Sequence, residues 1–266
     1  GAACTNWRPF SAIVSGSANY VLVIGAEKLS HFTDWSDRNT CVLFGDGAGA
    51  VILQASDQPG GVLSAVLGSD GSGADLLTLP HPGNGQPASG SSTNGSGPPP
   101  AYIQMDGRGV FRFAVRITAR AVHESVRRAG ITLDDVHLIV PHQANIRIIN
   151  ASMEALRLSP EAAYVNIDRY GNTSAASIPI ALCEAVESRR LSPKDYVVFV
   201  GFGGGLTWAA ATVQWTGPRP IKGILPFRYR LLNSLLHPWA TLRSALLRWR
   251  RRLVEIIPGT SWDPYR

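Results

Sequence analysis

Four places in this sequence carry residue types suited to one kind of chemistry. Cys4 stands in Ala2-Ala3-Cys4. His142 follows an apolar run, Val136 to Val140, and opens His142-Gln143-Ala144-Asn145-Ile146-Arg147. Asn172 comes thirty residues later in Tyr170-Gly171-Asn172-Thr173-Ser174, and Gly201-Phe202-Gly203-Gly204-Gly205 follows at a similar interval. A thiol, two polar partners and a glycine turn that can present backbone N–H groups suggest nucleophilic catalysis with an oxyanion site. The thiol is useful only as thiolate, which a helix N-terminus and a nearby His both favour. A neutral His donates through one ring nitrogen and an Asn through its amide, so both can hold a developing oxygen anion. Taken singly, His142 reads as a satisfied core histidine and Asn172 as a loop or N-cap residue. Their joint occurrence is the signal.

These residues need elements to hold them. The run 136–140 reads as a buried strand with His142 at its end, projecting into a cleft. The helix-period segment after it sets Ile146, Ile149, Met153 and Leu156 on one face. Ser177 to Arg189 reads as a helix opening from the Asn172 loop. Tyr196 to Val200 and Thr207 to Gln214 read as antiparallel strands joined by the glycine turn. Upstream, Val21 to Ile24 reads as a short buried strand, and residues 40–44 and 51–53 as a hairpin around Gly45-Asp46-Gly47-Ala48-Gly49. That glycine run is no dinucleotide fingerprint, because its spacing is wrong and no helix follows. Gly61 to Gly68 reads as another strand. A long helix with Val110, Ala114, Ile117, Ala121 and Val122 buried is expected, capped by Asp106 and stopped by Gly130. Alternating strands and helices with interspersed hairpins imply a layered α/β fold with a mixed sheet.

Composition narrows the field. Of 266 residues, 45% are hydrophobic and 17% charged, an ordinary globular balance. The three cysteines, Cys4, Cys41 and Cys183, are scattered, which argues against a disulfide framework or metal site and suits a reducing cytosol. Cys41 and Cys183 fall in apolar patterns and read as buried, inert thiols. Asp34, Asp37 and Asp46 lack metal-site clustering, so no metal is expected. No apolar run is long enough to span a bilayer. The net charge of +6 comes from the segment that starts at Gly217, which carries net +8, so the rest is net −2 and gives no case for nucleic-acid binding. Within that tail Leu242, Leu246, Leu247, Trp249 and Leu253 alternate with Arg243, Arg248, Arg250, Arg251 and Arg252. A basic amphipathic helix on an anionic membrane is one reading; a disordered or docking extension is another.

Six motifs in order carry a resemblance: Ala2-Ala3-Cys4, Val23 to Glu27, Phe44 to Ala50, Pro141 to Asn145, Gly171 to Ser177, and Phe202 to Gly205. Together, from about residue 1 to 216, they resemble β-ketoacyl-[acyl-carrier-protein] synthase III, a thiolase-fold condensing enzyme of fatty acid biosynthesis. The resemblance implies an α/β fold, thiolase-like and layered αβαβα with mixed sheets, its first half incomplete here, working as a cytoplasmic homodimer. It implies an acyltransferase that loads acyl-CoA on a cysteine and condenses it with malonyl-carrier protein, with no cofactor beyond acyl-CoA as substrate. By motif position Cys4 is the nucleophile, with His142 and Asn172 its partners. Cys4 and Gly204 supply the oxyanion-hole N–H groups. Gln143, Ala144, Asn145, Ile146 and Arg147 lie in the carrier-protein and CoA-binding region, and Arg112 and Arg116 are candidate docking cations.

The expected organisation is residues 1–100 as the remainder of the N-terminal half with a mobile loop over 82–100, residues 101–216 as the C-terminal half, and 217–266 as a basic tail outside the pattern. The family carries a further segment before its cysteine, holding half of the first sheet and part of the CoA site, and that segment is expected to complete the layers. After the cysteine the family has a small residue, Gly-Phe and a long helix, where this sequence has Thr5-Asn6-Trp7-Arg8-Pro9. Two alternatives stand beside the enzyme: a non-catalytic thiolase-fold remnant and a secondary-metabolite ketosynthase with another acyl starter.

Overall fold

The computed structural model describes residues 7–80 and 102–217. Cys4, the loop expected over 82–100 and the tail from Pro218 therefore lie outside the described residues. A short helix α1 (Trp7–Val14) leads to β1 (Tyr20–Lys28), β2 (Asp46–Gln54) and β3 (Gly61–Ser69). Two-residue strands β4 (Leu77–Thr78) and β5 (Gln104–Met105) precede the long helix α2 (Gly107–Arg128). Then come β6 (Val136–Pro141), α3 (Ile146–Ala155), the single turn α4 (Ile167–Tyr170), α5 (Ser177–Glu187), β7 (Tyr196–Gly203) and β8 (Thr207–Gln214).

Local chemistry explains the main elements. Asp106 caps α2, its carboxylate accepting the N–H groups of Arg108 (3.0 Å) and Gly109 (3.1 Å). Gly130, at φ +74°, turns the chain out after the last turn of α2. All five apolar residues expected on its inner face are buried. β6 and β7 are runs of Val, Ile, Leu and Phe that pair in parallel, the pattern of strands covered on both faces.

The larger sheet has the order β3-β8-β7-β6. On one of its faces Ile139, Val198, Val200 and Ala210 pack with Ala121, Val122 and Val126 of α2 and with Ile149 and Met153 of α3. On the other, Leu138, Val140 and Val197 pack with Ala181, Leu182 and Ala185 of α5. The opposite side of α5 meets the antiparallel pair β1–β2, with Val51 reaching the same cluster. Helices, sheet, helix and sheet thus follow in succession, and this mixed α/β layering is thiolase-like.

Two expectations need correction. Residues 45–49 form no hairpin turn; Asp46–Gln54 is one continuous strand, and Gly25 faces Gly49 across the β1–β2 ladder. The alternate glycines instead let the Asn172 segment and the start of α5 close on the sheet: a Cβ at Gly49 would lie 2.9 Å from Pro179 Cβ, and one at Gly25 would overlap the Ala175 carbonyl. β1 is not buried on both faces, since Tyr20, Leu22 and Ile24 are exposed, as is Ile52 opposite Leu22. β3 pairs with β8, so the chain passes from one sheet to the other between Gln54 and Gly61.

Candidate active site

His142 stands just past β6, where its backbone N–H continues the ladder to the Val200 carbonyl at 2.7 Å. The strand alternation that sends Leu138 and Val140 toward α5 sends His142 the same way. The residue is 6% exposed, and its ring meets Phe202 edge-on, 5.6 Å between centroids. Nδ1 lies 2.7 Å from the Ser177 hydroxyl at the start of α5. Burial pushes the His142 pKa down from 6.5 to about 4, so the imidazole is neutral at physiological pH. His31 and His123, by contrast, are exposed.

Asn172 is fixed by its backbone and its side chain together. Its N–H donates to the Leu43 carbonyl at 2.8 Å, and its carbonyl accepts the Gly45 N–H at 2.9 Å. This pairing brings the chain ahead of β2 against the loop, and at Gly45 a Cβ would overlap the Tyr170 carbonyl. The side-chain Oδ1 accepts the Ser174 N–H at 2.9 Å. With the oxygen so held, the amide nitrogen is the end left to donate.

Ser174 ties the parts together. Its N–H holds Asn172, its carbonyl accepts the Ser177 hydroxyl at 2.8 Å, and its own hydroxyl donates to Glu27 Oε1 at 3.2 Å. Ser174 does so from a left-handed backbone at φ +49°. His142 and Asn172 are therefore joined through Ser177 and Ser174 by three short hydrogen bonds. The sequence reading missed Ser177, Ser174 and Glu27 as parts of the site. All three fell inside quoted motifs, but a Ser at a helix start reads simply as a cap.

The glycine turn closes the β7–β8 hairpin as expected, beside the strand end that carries His142. Paired bonds between Asp70 and Leu206 (2.8 and 3.0 Å) clamp it, and the Gly204 carbonyl accepts the Thr207 hydroxyl at 3.1 Å. A Cβ at Gly204 would stand 3.1 Å from the Leu77 carbonyl.

The residues expected to bind carrier protein and CoA divide. Arg147 and Ile146 are exposed, and Asn145 caps α3 by accepting the Arg147 N–H at 2.9 Å. Ala144 is half-buried. Gln143 is 1% exposed and its side chain is fully engaged. Its Nε2 donates to the carbonyls of Pro141 (2.9 Å) and Tyr164 (3.0 Å), and its Oε1 accepts the Asn166 N–H at 3.1 Å. Gln143 thus braces the turn that carries His142. Cys183, expected to be buried, is exposed, but burial of its thiol and nearby Glu187 raise its pKa and disfavour thiolate. Among the described residues no group of His, Cys, Asp and Glu could hold a metal ion.

A neutral buried histidine and an asparagine with its amide oxygen engaged thus stand side by side in the chain of hydrogen bonds on a layered thiolase-like scaffold. A family model described as 3-oxoacyl-[acyl-carrier-protein] synthase III C terminal matches residues 126–215, and the 3-oxoacyl-[acyl-carrier-protein] synthase III model matches residues 10–71. Cys4 lies outside both matches. A β-ketoacyl-[acyl-carrier-protein] synthase III from Roseiflexus sp. is 51% identical over 206 residues, 77% of this chain and 62% of its own length. A β-ketoacyl-[acyl carrier protein] synthase III structure from Thermus thermophilus is 45% identical with a TM-score of 0.72, covering 81% of this chain and 67% of that one. The priming β-ketosynthase of the R1128 polyketide pathway is 33% identical with a TM-score of 0.70, covering 79% of this chain and 61% of that one. The chain belongs to the 3-oxoacyl-[acyl-carrier-protein] synthase III family.

Proposed function

We propose that this chain carries the condensing site of an enzyme that joins an acyl-CoA, in the first place acetyl-CoA, to malonyl-[acyl-carrier-protein]. The products are 3-oxoacyl-[acyl-carrier-protein], CoA and carbon dioxide, and the reaction initiates fatty acid biosynthesis. The observation that carries this reading is the linked pair His142 and Asn172: a neutral imidazole and an amide whose oxygen is already engaged. In the first half-reaction the Cys4 thiolate attacks the acyl thioester, the Gly204 and Cys4 N–H groups meet the oxyanion, and CoA leaves. In the second, malonyl thioester loses carbon dioxide and negative charge moves onto the thioester oxygen. Asn172 Nδ2 and His142 Nε2 donate to that oxygen. No substrate proton has to be removed, because decarboxylation itself generates the carbanion that attacks the acyl-cysteine.

Arg147 at the first turn of α3 and Arg112 and Arg116 on α2 are exposed, and α2 packs on α3. They suit the acidic helix of a carrier protein or a CoA phosphate. The working form is proposed to be a cytoplasmic homodimer, with Cys4, His142 and Asn172 catalytic, Cys4 and Gly204 forming the oxyanion hole, and no cofactor needed.

The chain spans 62% of the Roseiflexus relative, so the test uses it fused behind that relative's N-terminal region. Incubation with acetyl-CoA should add one acetyl group by intact mass, and Cys4→Ala should abolish it. Malonyl-carrier protein should then release carbon dioxide and form the 3-oxoacyl product. Absence of labelling, or a label that survives Cys4→Ala, would contradict the proposal.

A further inference from the structure

If the histidine that holds the thioester oxygen in the reaction proposed above also favours the thiolate, as a His near a catalytic thiol does, the two tasks ask opposite things of His142 Nε2. Helping the thiol to ionise needs a bare nitrogen that accepts a proton; holding the thioester oxygen needs an N–H that donates. A single tautomer supplies only one of these. The atom that decides between them is Ser177 Oγ, 2.7 Å from Nδ1 on a residue 2% exposed.

A hydroxyl has one proton to give. The Ser174 carbonyl, at 2.8 Å, can only accept it. The Gln143 N–H, at 3.4 Å from the same Oγ, can only donate. With the Ser177 proton on Ser174, the oxygen faces His142 as an acceptor, Nδ1 must carry the hydrogen, and Nε2 is bare. If the hydroxyl turns about Cβ–Oγ to face Nδ1 instead, Nδ1 becomes the acceptor and the hydrogen sits on Nε2. The turn is tolerable because the Ser174 carbonyl keeps a second partner, the backbone N–H of Ser177. Neutrality of the ring is what makes the choice of nitrogen matter, since an imidazolium would donate from both.

We propose that Ser177 is a positioning residue that sets the tautomer of His142, holding the hydrogen on Nδ1 at rest and, by turning its hydroxyl, permitting the Nε2–H form that decarboxylation requires. The protons balance. Nε2 keeps the proton it took from the thiol, the Nδ1 proton goes to water, and the departing CoA thiolate takes one from water. This inference rests on the functional reading for its purpose, but its test does not need turnover.

The chain is labelled with ¹⁵N-histidine, and ring-nitrogen resonances separate the Nδ1–H and Nε2–H forms directly. Of its six histidines, His142 is identified by the signal lost in His142→Gln. In the unmodified chain the Nδ1–H form should predominate. Ser177→Ala should shift the population to the Nε2–H form that unconstrained histidine favours, and Ser177→Thr, which keeps the hydroxyl, should restore Nδ1–H. An Nε2–H majority in the unmodified chain, or a tautomer unchanged by Ser177→Ala in a folded protein judged by circular dichroism, would overturn the proposal. If Ser177→Ala does not fold, the unmodified chain and Ser177→Thr decide, because both must show Nδ1–H. In the fused enzyme, Ser177→Ala should lower acyl labelling at least tenfold while carbon dioxide release changes less than threefold. If the tautomer result holds and labelling never occurs, the functional reading fails and this inference stands.

Discussion

Burial of His142 makes the stability of this fold depend on pH in a direction that can be worked out. The ring is neutral inside the protein with a pKa near 4, against an ordinary value of 6.5. Between those values the unfolded chain binds a proton that the folded chain does not, so stability rises with pH across the window. It is fully present above about pH 6.5, falls as pH drops toward 4, and falls no further below it. The difference of about 2.5 pKa units corresponds to roughly 3 kcal/mol between pH 7.5 and pH 4. The perturbation is His142→Gln, which removes the titrating ring and keeps a polar side chain. The assay is urea unfolding of both proteins at the two pH values. The loss on acidification should be about 3 kcal/mol larger in the unmodified protein, other carboxylates and histidines cancelling in the difference. A difference below about 0.5 kcal/mol would refute the reasoning, because the ring would then be as readily protonated folded as unfolded.

Gln143→Leu should destabilise by about 1–3 kcal/mol, since it strips partners from the carbonyls of Pro141 and Tyr164 and from the N–H of Asn166, and denaturant midpoints would measure it. The same variant should leave carrier-protein affinity within about threefold if the residue is a brace, as read by titration calorimetry. Gly49→Ala places a methyl 2.9 Å from Pro179 Cβ and should cost about 1–3 kcal/mol by thermal melting, with α5 displaced from β2. The exposed apolar face of Leu22, Ile24 and Ile52 should bind a hydrophobic dye and promote association; Leu22→Lys with Ile52→Glu, opposite one another on the ladder, should reduce both in light scattering.

Much of this architecture is legible in the sequence, and the exceptions have physical causes. β6, α2 and the β7–β8 hairpin carry local signals: an unbroken apolar run, an Asp cap with a terminating Gly, and a glycine turn between two apolar runs. The segment 45–49 failed because glycines read as turn punctuation. Their alternate positions, 45, 47 and 49, are equally the period of one strand face, and what they accommodate, Thr173 and Pro179, is far away in sequence. The pairing of β3 with β8 is likewise non-local and has no signature in either strand. At the site, residue types and order pointed to His142 and Asn172, whereas Ser177, Ser174 and Glu27 contribute through hydrogen bonds that only the folded backbone creates. The bracing bonds of Gln143 likewise reach Tyr164 and Asn166, which only the folded chain brings beside it.

Asn172 and His142 are proposed to act together on the oxygen of a decarboxylating thioester. Carbon dioxide release from malonyl-carrier protein tests that pairing, measured in the fused enzyme for Asn172→Asp and His142→Ala beside acyl labelling by intact mass. Asn172→Asp keeps the shape of the side chain and the acceptor for the Ser174 N–H but replaces the donor with an oxygen. Release should fall roughly 10²–10³-fold in each variant, while Asn172→Asp still takes one acyl group from acyl-CoA. Release within threefold of the unmodified enzyme in Asn172→Asp, with labelling intact, would contradict the shared role of the two donors.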